Sequence, residues 1–426
     1  MTAVIEGARS LLSSYVETLF VSSLRRNIVY GDIHLTIHDV NPSTKPQVLH
    51  ICSKAHPENE KSPQPSTTVV IRNKQDFWLR LCQNVDIGFA EAYMSHEVEC
   101  EDLVQLFKIY IRNWDQLQGL SSLMQLPVRI WTQLLRKINT ENHALANASF
   151  HYDTSNAMFQ AFLSDDMCYS CPIWSSSAPE EPLEAAQRRK VHAIISRAQI
   201  QASHHILDIG GGWGFLAMEA VRLTGCRVTA ITLSEEQKQL AEKQIKARGY
   251  DDRIRFQLCD YRKTPRPVGG WFDRIVSVEM IEAVGKEFLE EFFGVLSDLL
   301  HPEEGRVVIQ GITFAENLHA QPKYLDNFLD KYIFPGGYLP SVSELVSCVT
   351  TGSARTLEVN SIDNIGPHYT KALRLWREKF IANWDSIKAS HVQKYGQRSE
   401  EELEAFRRRW IVGVFPLTDC ICVKTC

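Results

Sequence analysis

The stretch that decides the fold is HHILDIGGGWGFLAMEA, His204–Ala220. A short apolar run passes through Asp208 into the glycines Gly210, Gly211, Gly212 and Gly214, and a helical apolar pattern begins at once. Without side chains the turn lets a ligand approach the backbone closely, so a strand, a glycine turn and a helix in that order predict a nucleotide-like cofactor. Downstream the pattern repeats. RVTAITL (227–233), RIRFQLCD (253–260), FDRIVSVE (272–279) and GRVVIQGIT (305–313) read as four more strands separated by amphipathic helices, the signature of a parallel α/β sheet. Ser234 with Gln237 forms a capping box that opens the helix ending before Gly249.

A dinucleotide site wants Gly-x-Gly-x-x-Gly and an acid about 20 residues later. Here the third glycine comes one residue early, and the second strand ends in Thr232-Leu233-Ser234 without an acid. DIGGGWG instead resembles the first motif of class I S-adenosylmethionine methyltransferases. The expected fold is therefore α/β, a doubly wound, mostly parallel seven-stranded sheet of the class I methyltransferase type, with a smaller mixed α+β domain before it.

Upstream, residues 4–24 form one amphipathic helix with Ile5, Leu11, Leu12, Val16, Leu19, Phe20 and Leu24 at helical intervals. Packing on its own domain is preferred to a membrane-surface role, because Glu6 and Glu17 weaken attraction to anionic lipid. IVYGDIHLTIHDV and TTVVIRN read as strands, residues 41–66 as a long exposed loop, and Asp76 to about Asn142 as helical. A boundary near residues 138–148 divides an accessory domain, 1–140, from a catalytic domain, 141–426.

The chain has 426 residues, 44% of them hydrophobic, a net charge of -5 and a pI near 6.3. That balance argues against a nucleic-acid binder. Eleven cysteines without paired metal-like spacing, the nearest being Cys420-Ile421-Cys422, indicate reduced thiols rather than disulfides or a structural metal. No apolar run reaches membrane-spanning length and no secretion signal is evident, so the expected location is cytoplasmic.

HYDTSNAMFQAFLSDDMCYSC (151–171) has Met158, Phe159, Phe162 and Leu163 at helical spacing, and polar ends that a capped helix alone does not explain. Read with LDIGGGWGFLA, ITLSEEQ, FDRIVSVEMIEAVG, DKYIFPGGYLPS and HYTKALRLWREKF, in that order, it resembles the cyclopropane fatty acid synthase family. GFAEAYMSHEVECEDLVQLF is similar to the N-terminal domain of its lipid-acting members, and the likeness covers residues ~75 to ~385.

The resemblance implies S-adenosylmethionine as cofactor, with Tyr169 and Ser170 near the donor and Asp208, Gly210 and Gly212 at its methionine part. Thr232, Leu233 and Gln237 would hold the ribose, with Asp260 and Tyr261 near the adenine. It implies an unsaturated phospholipid or acyl chain as substrate; peripheral membrane contact and a homodimer are further expectations. Members that make cyclopropanes hold bicarbonate as base between a carboxylate, the backbone at a Cys, a His and a Tyr. Cys171 and Glu282 match the first two kinds of group, while Gln310 stands at the His position and Arg377 is aligned with the Tyr. Gln can still hydrogen-bond a carbonate and Arg can pair with it, or the changes mark methyl-branched or methylene products. After FRRRW the family continues with an aromatic helix and a last strand, whereas IVGVFPLTDCICVKTC offers only LTDCICVKT. Two alternatives remain: an amine N-methyltransferase related to benzylisoquinoline methyltransferases, and a lipid-binding protein without catalysis.

Overall fold

The computed structural model describes residues 2–39, 43–52, 64–117, 155–178, 180–316, 331–332 and 337–413. His151, Tyr152 and Asp153, the boundary near 138–148, the helical pattern beyond residue 117, the middle of DKYIFPGGYLPS and the strand LTDCICVKT lie outside them. Two compact units divide the chain, Met1–Asn142 with Lys323–Ile333 and Arg398–Cys426, and His143–Pro322 with Phe334–Gln397.

The first unit opens with helix α1 (Thr2–Asn27) and holds a mixed sheet of β1 (Asp32–Ile37), β2 (Gln47–Ile51), β3 (Ser66–Ile71) and β4 (Val98–Cys100) in the order β2-β1-β3-β4. β1 and β3 are parallel; the outer strands run antiparallel to them. The alternation in DIHLTI buries Ile33, Leu35 and Ile37 on one face. QVLHI, inside the stretch read as a loop, is in fact the edge strand β2. Helices α2 (Lys74–Gln83), α3 (Val85–Met94) and α4 (Leu103–Arg112) follow, capped by Asn73, Asn84 and Asp102.

α1 buries Ser13, Val16 and Val21, and the Phe20 ring lies 5.5 Å from that of Trp78 on α2. Leu11, Leu12 and Leu19, expected among its packed residues, are exposed together with Tyr15. The last described helix, Glu400–Gly413, belongs to this unit: Arg408 donates to Glu99 at 2.7 Å and to the Tyr93 carbonyl at 2.8 Å. A single cut along the chain does not contain that return. Beside the sheet, Asp32, His50 and Cys52 bring one ligand atom each within 4.8 Å of one another, with Cys52 Sγ 3.2 Å from His50 Nδ1.

The second unit is built on five described strands, β5 (His205–Ile209), β6 (Arg227–Thr232), β7 (Ile254–Leu258), β8 (Arg274–Val278) and β9 (Arg306–Gln310). Their order is β7-β6-β5-β8-β9, all parallel. The five strands expected from the sequence are these five. They read as nearly continuous apolar runs because both faces are covered. Ile206, Val228, Ala230, Ile254, Phe256 and Val276 pack on one side, and Leu207, Ile209, Ile231 and Ile275 on the other. The chain leaves β5 in one direction along the sheet and reaches β8 in the other. That reversal opens a crevice at the carboxyl ends of β5 and β8, where such folds hold ligands.

Candidate active site

All five strands end in candidate site residues. Asp208 and the glycine loop close β5, Thr232 closes β6, Asp260 follows β7, Glu279 follows β8 and Gln310 closes β9. The loop turns with positive φ at Gly210 (79°), Gly212 (54°) and Gly214 (85°), a conformation that disfavours any side chain. Gly210 and Gly211 donate their N–H groups to the Ile231 carbonyl, which pins the turn to the neighbouring strand. A Cβ at Gly210 would lie 3.0 Å from Met280, whereas one at Gly212 would meet nothing within 4 Å. Gly212 therefore borders open space.

Asp208 is buried and its Oδ2 has no protein partner. Burial pushes its carboxyl up to about 7, although the charge of Lys190 works against that rise. Lys190 itself donates to Ser170 Oγ at 2.7 Å, and Gln187 donates to the Ser170 carbonyl at 2.8 Å. Both come from the helix Leu183–Arg197, which ties down the segment ahead of it.

In that segment the short helix Asn156–Phe162 buries Met158, Phe159 and Phe162, with Leu163 just beyond, as the spacing predicts. The Ser155 hydroxyl caps it by accepting from Met158 N. Tyr169 packs 5.4 Å from Phe159 and 5.3 Å from Trp376, and Phe159 lies 5.1 Å from Trp213 of the glycine loop. The Trp213 indole donates to Asn156 Oδ1 at 2.8 Å. The segment thus lies directly against the glycine loop.

At the end of β6 Thr232 Oγ1 donates to Gln237 Oε1 at 2.7 Å, both residues are buried, and Leu233 beside them is exposed. Asp260 is clasped by Arg262, whose guanidinium holds its carboxyl below the ordinary range. The Tyr261 hydroxyl is buried without a protein partner.

The remaining cluster centres on a residue the sequence reading passed over, Glu279. Its Oε1 accepts from Cys171 N at 2.7 Å and from Gln310 Nε2 at 2.9 Å, and its Oε2 accepts from the Tyr369 hydroxyl at 3.0 Å. Gln310 also donates to the Cys171 carbonyl at 3.1 Å. Glu282, one turn on, accepts from Ile312 N, while its Oε2 is buried without a partner.

Burial raises both carboxyls, and the charge of Glu279 helps push Glu282 up to about 8. With three donors against one, Glu279 is the member that ionises first. Tyr369 rather than Arg377 supplies the phenolic donor. On the helix Tyr369–Ala382 the buried face runs through Tyr369, Ala372, Leu373, Trp376 and Phe380, and Arg377 turns away from it.

Residues 139–414 match the family described as mycolic acid cyclopropane synthetase. The chain belongs to the cyclopropane synthase family. Tuberculostearic acid methyltransferase UfaA1 of Mycobacterium tuberculosis is 35% identical over 306 residues, 71% of this chain and 70% of that protein. Cyclopropane-fatty-acyl-phospholipid synthase of Escherichia coli is 31% identical over 328 residues, 75% of this chain and 78% of that protein. Among solved structures, mycolic acid cyclopropane synthase CmaA1 complexed with SAH and CTAB has a TM-score of 0.56 at 27% identity, covering 66% of this chain and 94% of its own. Coclaurine N-methyltransferase, at 23% identity and a TM-score of 0.61 over 79% of this chain and 94% of that one, shares the fold.

Members of the family are S-adenosylmethionine-dependent methyltransferases, and the residues of this chain fit that cofactor. The unpartnered Asp208 oxygen suits its ammonium group, and the open space over Gly212 admits its backbone-hugging part. Thr232 and Gln237 offer the hydroxyl and amide that would hold its ribose. When bound, it supplies an electrophilic methyl on a sulfonium.

Proposed function

We propose that this chain adds the one-carbon unit of S-adenosylmethionine to the cis double bond of an unsaturated acyl chain in a phospholipid, giving a cyclopropane or a methyl- or methylene-branched chain. The observation that carries this reading is the pair of deep carboxylates, Glu279 and Glu282, one turn apart beside the glycine loop. Methylation of an alkene leaves a carbocation that must lose a proton, so it needs a base near the donor. An amine must also shed a proton before its lone pair can attack, so the carboxylates would serve either acceptor, and the lipid-acting relatives favour the alkene.

The likeness to tuberculostearic acid methyltransferase UfaA1 and to the cyclopropane-fatty-acyl-phospholipid synthase of E. coli supports the same choice. The rings of Phe159, Phe162, Tyr169 and Trp376 pack together two residues before Cys171, an apolar wall that suits an acyl substrate. Among the described residues no helix is long and apolar enough to cross a membrane. A peripheral contact would bring the chain to a phospholipid, and the exposed Leu11, Leu12, Tyr15 and Leu19 of α1 support one.

Lipids from cells expressing the chain, compared by mass spectrometry with those of a Gly212→Val control, should show a gain of one CH2 on unsaturated acyl chains. A gain confined to amine headgroups would favour N-methylation, and no gain in either would remove the proposal.

A further inference from the structure

We propose that the Glu279 carboxylate is the catalytic base of this site, occupying the donor set that a dissolved anion such as bicarbonate would otherwise fill. The inference rests on the reading of the chain as an alkene-alkylating enzyme. Three separate segments converge on the one carboxylate: the backbone N–H of Cys171, the amide of Gln310 and the hydroxyl of Tyr369. Each points a donor inward, and together they make an anion site. Its anion is already present as a side chain.

The backbone sharpens the case. Glu279 has φ +49°, in the left-handed region where glycine is the ordinary occupant and a bulkier residue is strained. A glutamate is held there at a conformational cost, and what it brings is its carboxylate. The charge of Lys190 reaches it, but the Lys190 ammonium is bonded to Ser170 Oγ, so Glu279 does not serve as half of an ion pair. Glu282 beside it keeps one oxygen unpartnered, a second carboxyl able to share the proton.

The step balances without a further reactant. The alkene pair forms a C–C bond to the sulfonium methyl as the C–S bond breaks, which leaves the neighbouring carbon cationic. A C–H bond of the transferred methyl gives its electron pair to that carbon and closes the ring, and the proton passes to Glu279. The carboxylic acid returns it to water after the product leaves.

The test uses the full chain, unsaturated phospholipid vesicles and CO2-free buffer with or without added bicarbonate. Wild-type turnover should be the same in both buffers, and Glu279→Gln should lose ~100-fold or more while still binding S-adenosylhomocysteine. Glu279→Gly relieves the backbone and vacates the donors, so bicarbonate should restore its turnover by ~10-fold or more. A role confined to holding the Cys171 loop would not produce that rescue. Independently of turnover, the 13C signal of labelled bicarbonate should broaden with Glu279→Gly and not with wild type.

Wild-type turnover that collapses without bicarbonate, a wild type that broadens the signal, or full turnover in Glu279→Gln would overturn the proposal. Absence of any methyl transfer by wild type would count against the lipid-alkylation reading instead. The 13C measurement would still decide whether Glu279 fills the donor set.

Discussion

Asp208 has an ordinary carboxyl value near 3.8 and is pushed up to about 7 by burial. A carboxyl raised in the folded state adds stability that is intact below its unfolded value and is lost as pH rises toward 7. Asp208→Asn should therefore match the ligand-free wild type near pH 4 and melt several degrees higher at pH 8, as read by thermal denaturation. The same carboxylate must be ionised to meet an ammonium group. Affinity for S-adenosylhomocysteine should rise between pH 6 and 8 in wild type, and calorimetry should find that dependence flattened in Asp208→Asn. Gly212→Val should abolish measurable binding, since it strains a residue at φ +54° and fills the space the ligand needs. At the carboxylate pair, Glu282 is mainly protonated at neutral pH and glutamine imitates that form, so Glu282→Gln should cost less than ~10-fold in turnover and Glu279→Gln ~100-fold or more. The reverse order in steady-state assays would give the base role to Glu282. The glycines and Asp208 were legible in the sequence because backbone freedom and a strand end leave a local mark. Glu279 was not, because its partners Cys171, Gln310 and Tyr369 come from three distant segments and no spacing announces their meeting.

The helix Asn156–Phe162 was legible from its period, and its buried face joins the aromatic wall. Phe162 is fully buried, with the Tyr169, Trp376 and Phe380 rings 6.1, 6.5 and 6.2 Å away. Phe162→Ala should cost ~3–5 kcal/mol in a denaturant titration and weaken donor binding with it, because the wall and the glycine loop share Phe159 and Trp213. Periodicity was less informative where two faces are both apolar. α1 carries Leu11, Leu12 and Leu19 on its exposed side and Val16 on its buried side, and the sequence alone merges them. If the outer stripe meets lipid, Leu11→Ser with Tyr15→Ser should lower vesicle sedimentation several-fold and leave S-adenosylhomocysteine affinity unchanged. The edge strand Gln47–Ile51 was hidden by flanking Pro, Ser and charge, since the pairing that makes it a strand is with Asp32–Ile37 and not with its neighbours in sequence. Helix phase also explains Arg377: eight residues on from Tyr369, it leaves the face that carries the phenol inward.

For the whole molecule, a parallel sheet gathers five strand ends into one crevice. That single geometric fact brings the glycine loop, the Thr232–Gln237 pair and two carboxylates together from residues as far apart as Asp208 and Glu282. Donor and base on one rim suit carbon alkylation followed by proton loss, and the isotopic composition of the product reports both steps at once. The decisive measurement is mass spectrometry of unsaturated phospholipid vesicles incubated with the purified chain and S-adenosylmethionine carrying a trideuterated methyl group. The account predicts an acyl chain that has gained a carbon, with two of the three deuterium atoms where the base takes its proton from the transferred methyl, as in a cyclopropane or methylene product, and all three where it takes the proton from the chain, as in a methyl branch. An unchanged acyl chain, or a methyl retaining all three deuterium atoms on a nitrogen or oxygen, would contradict it.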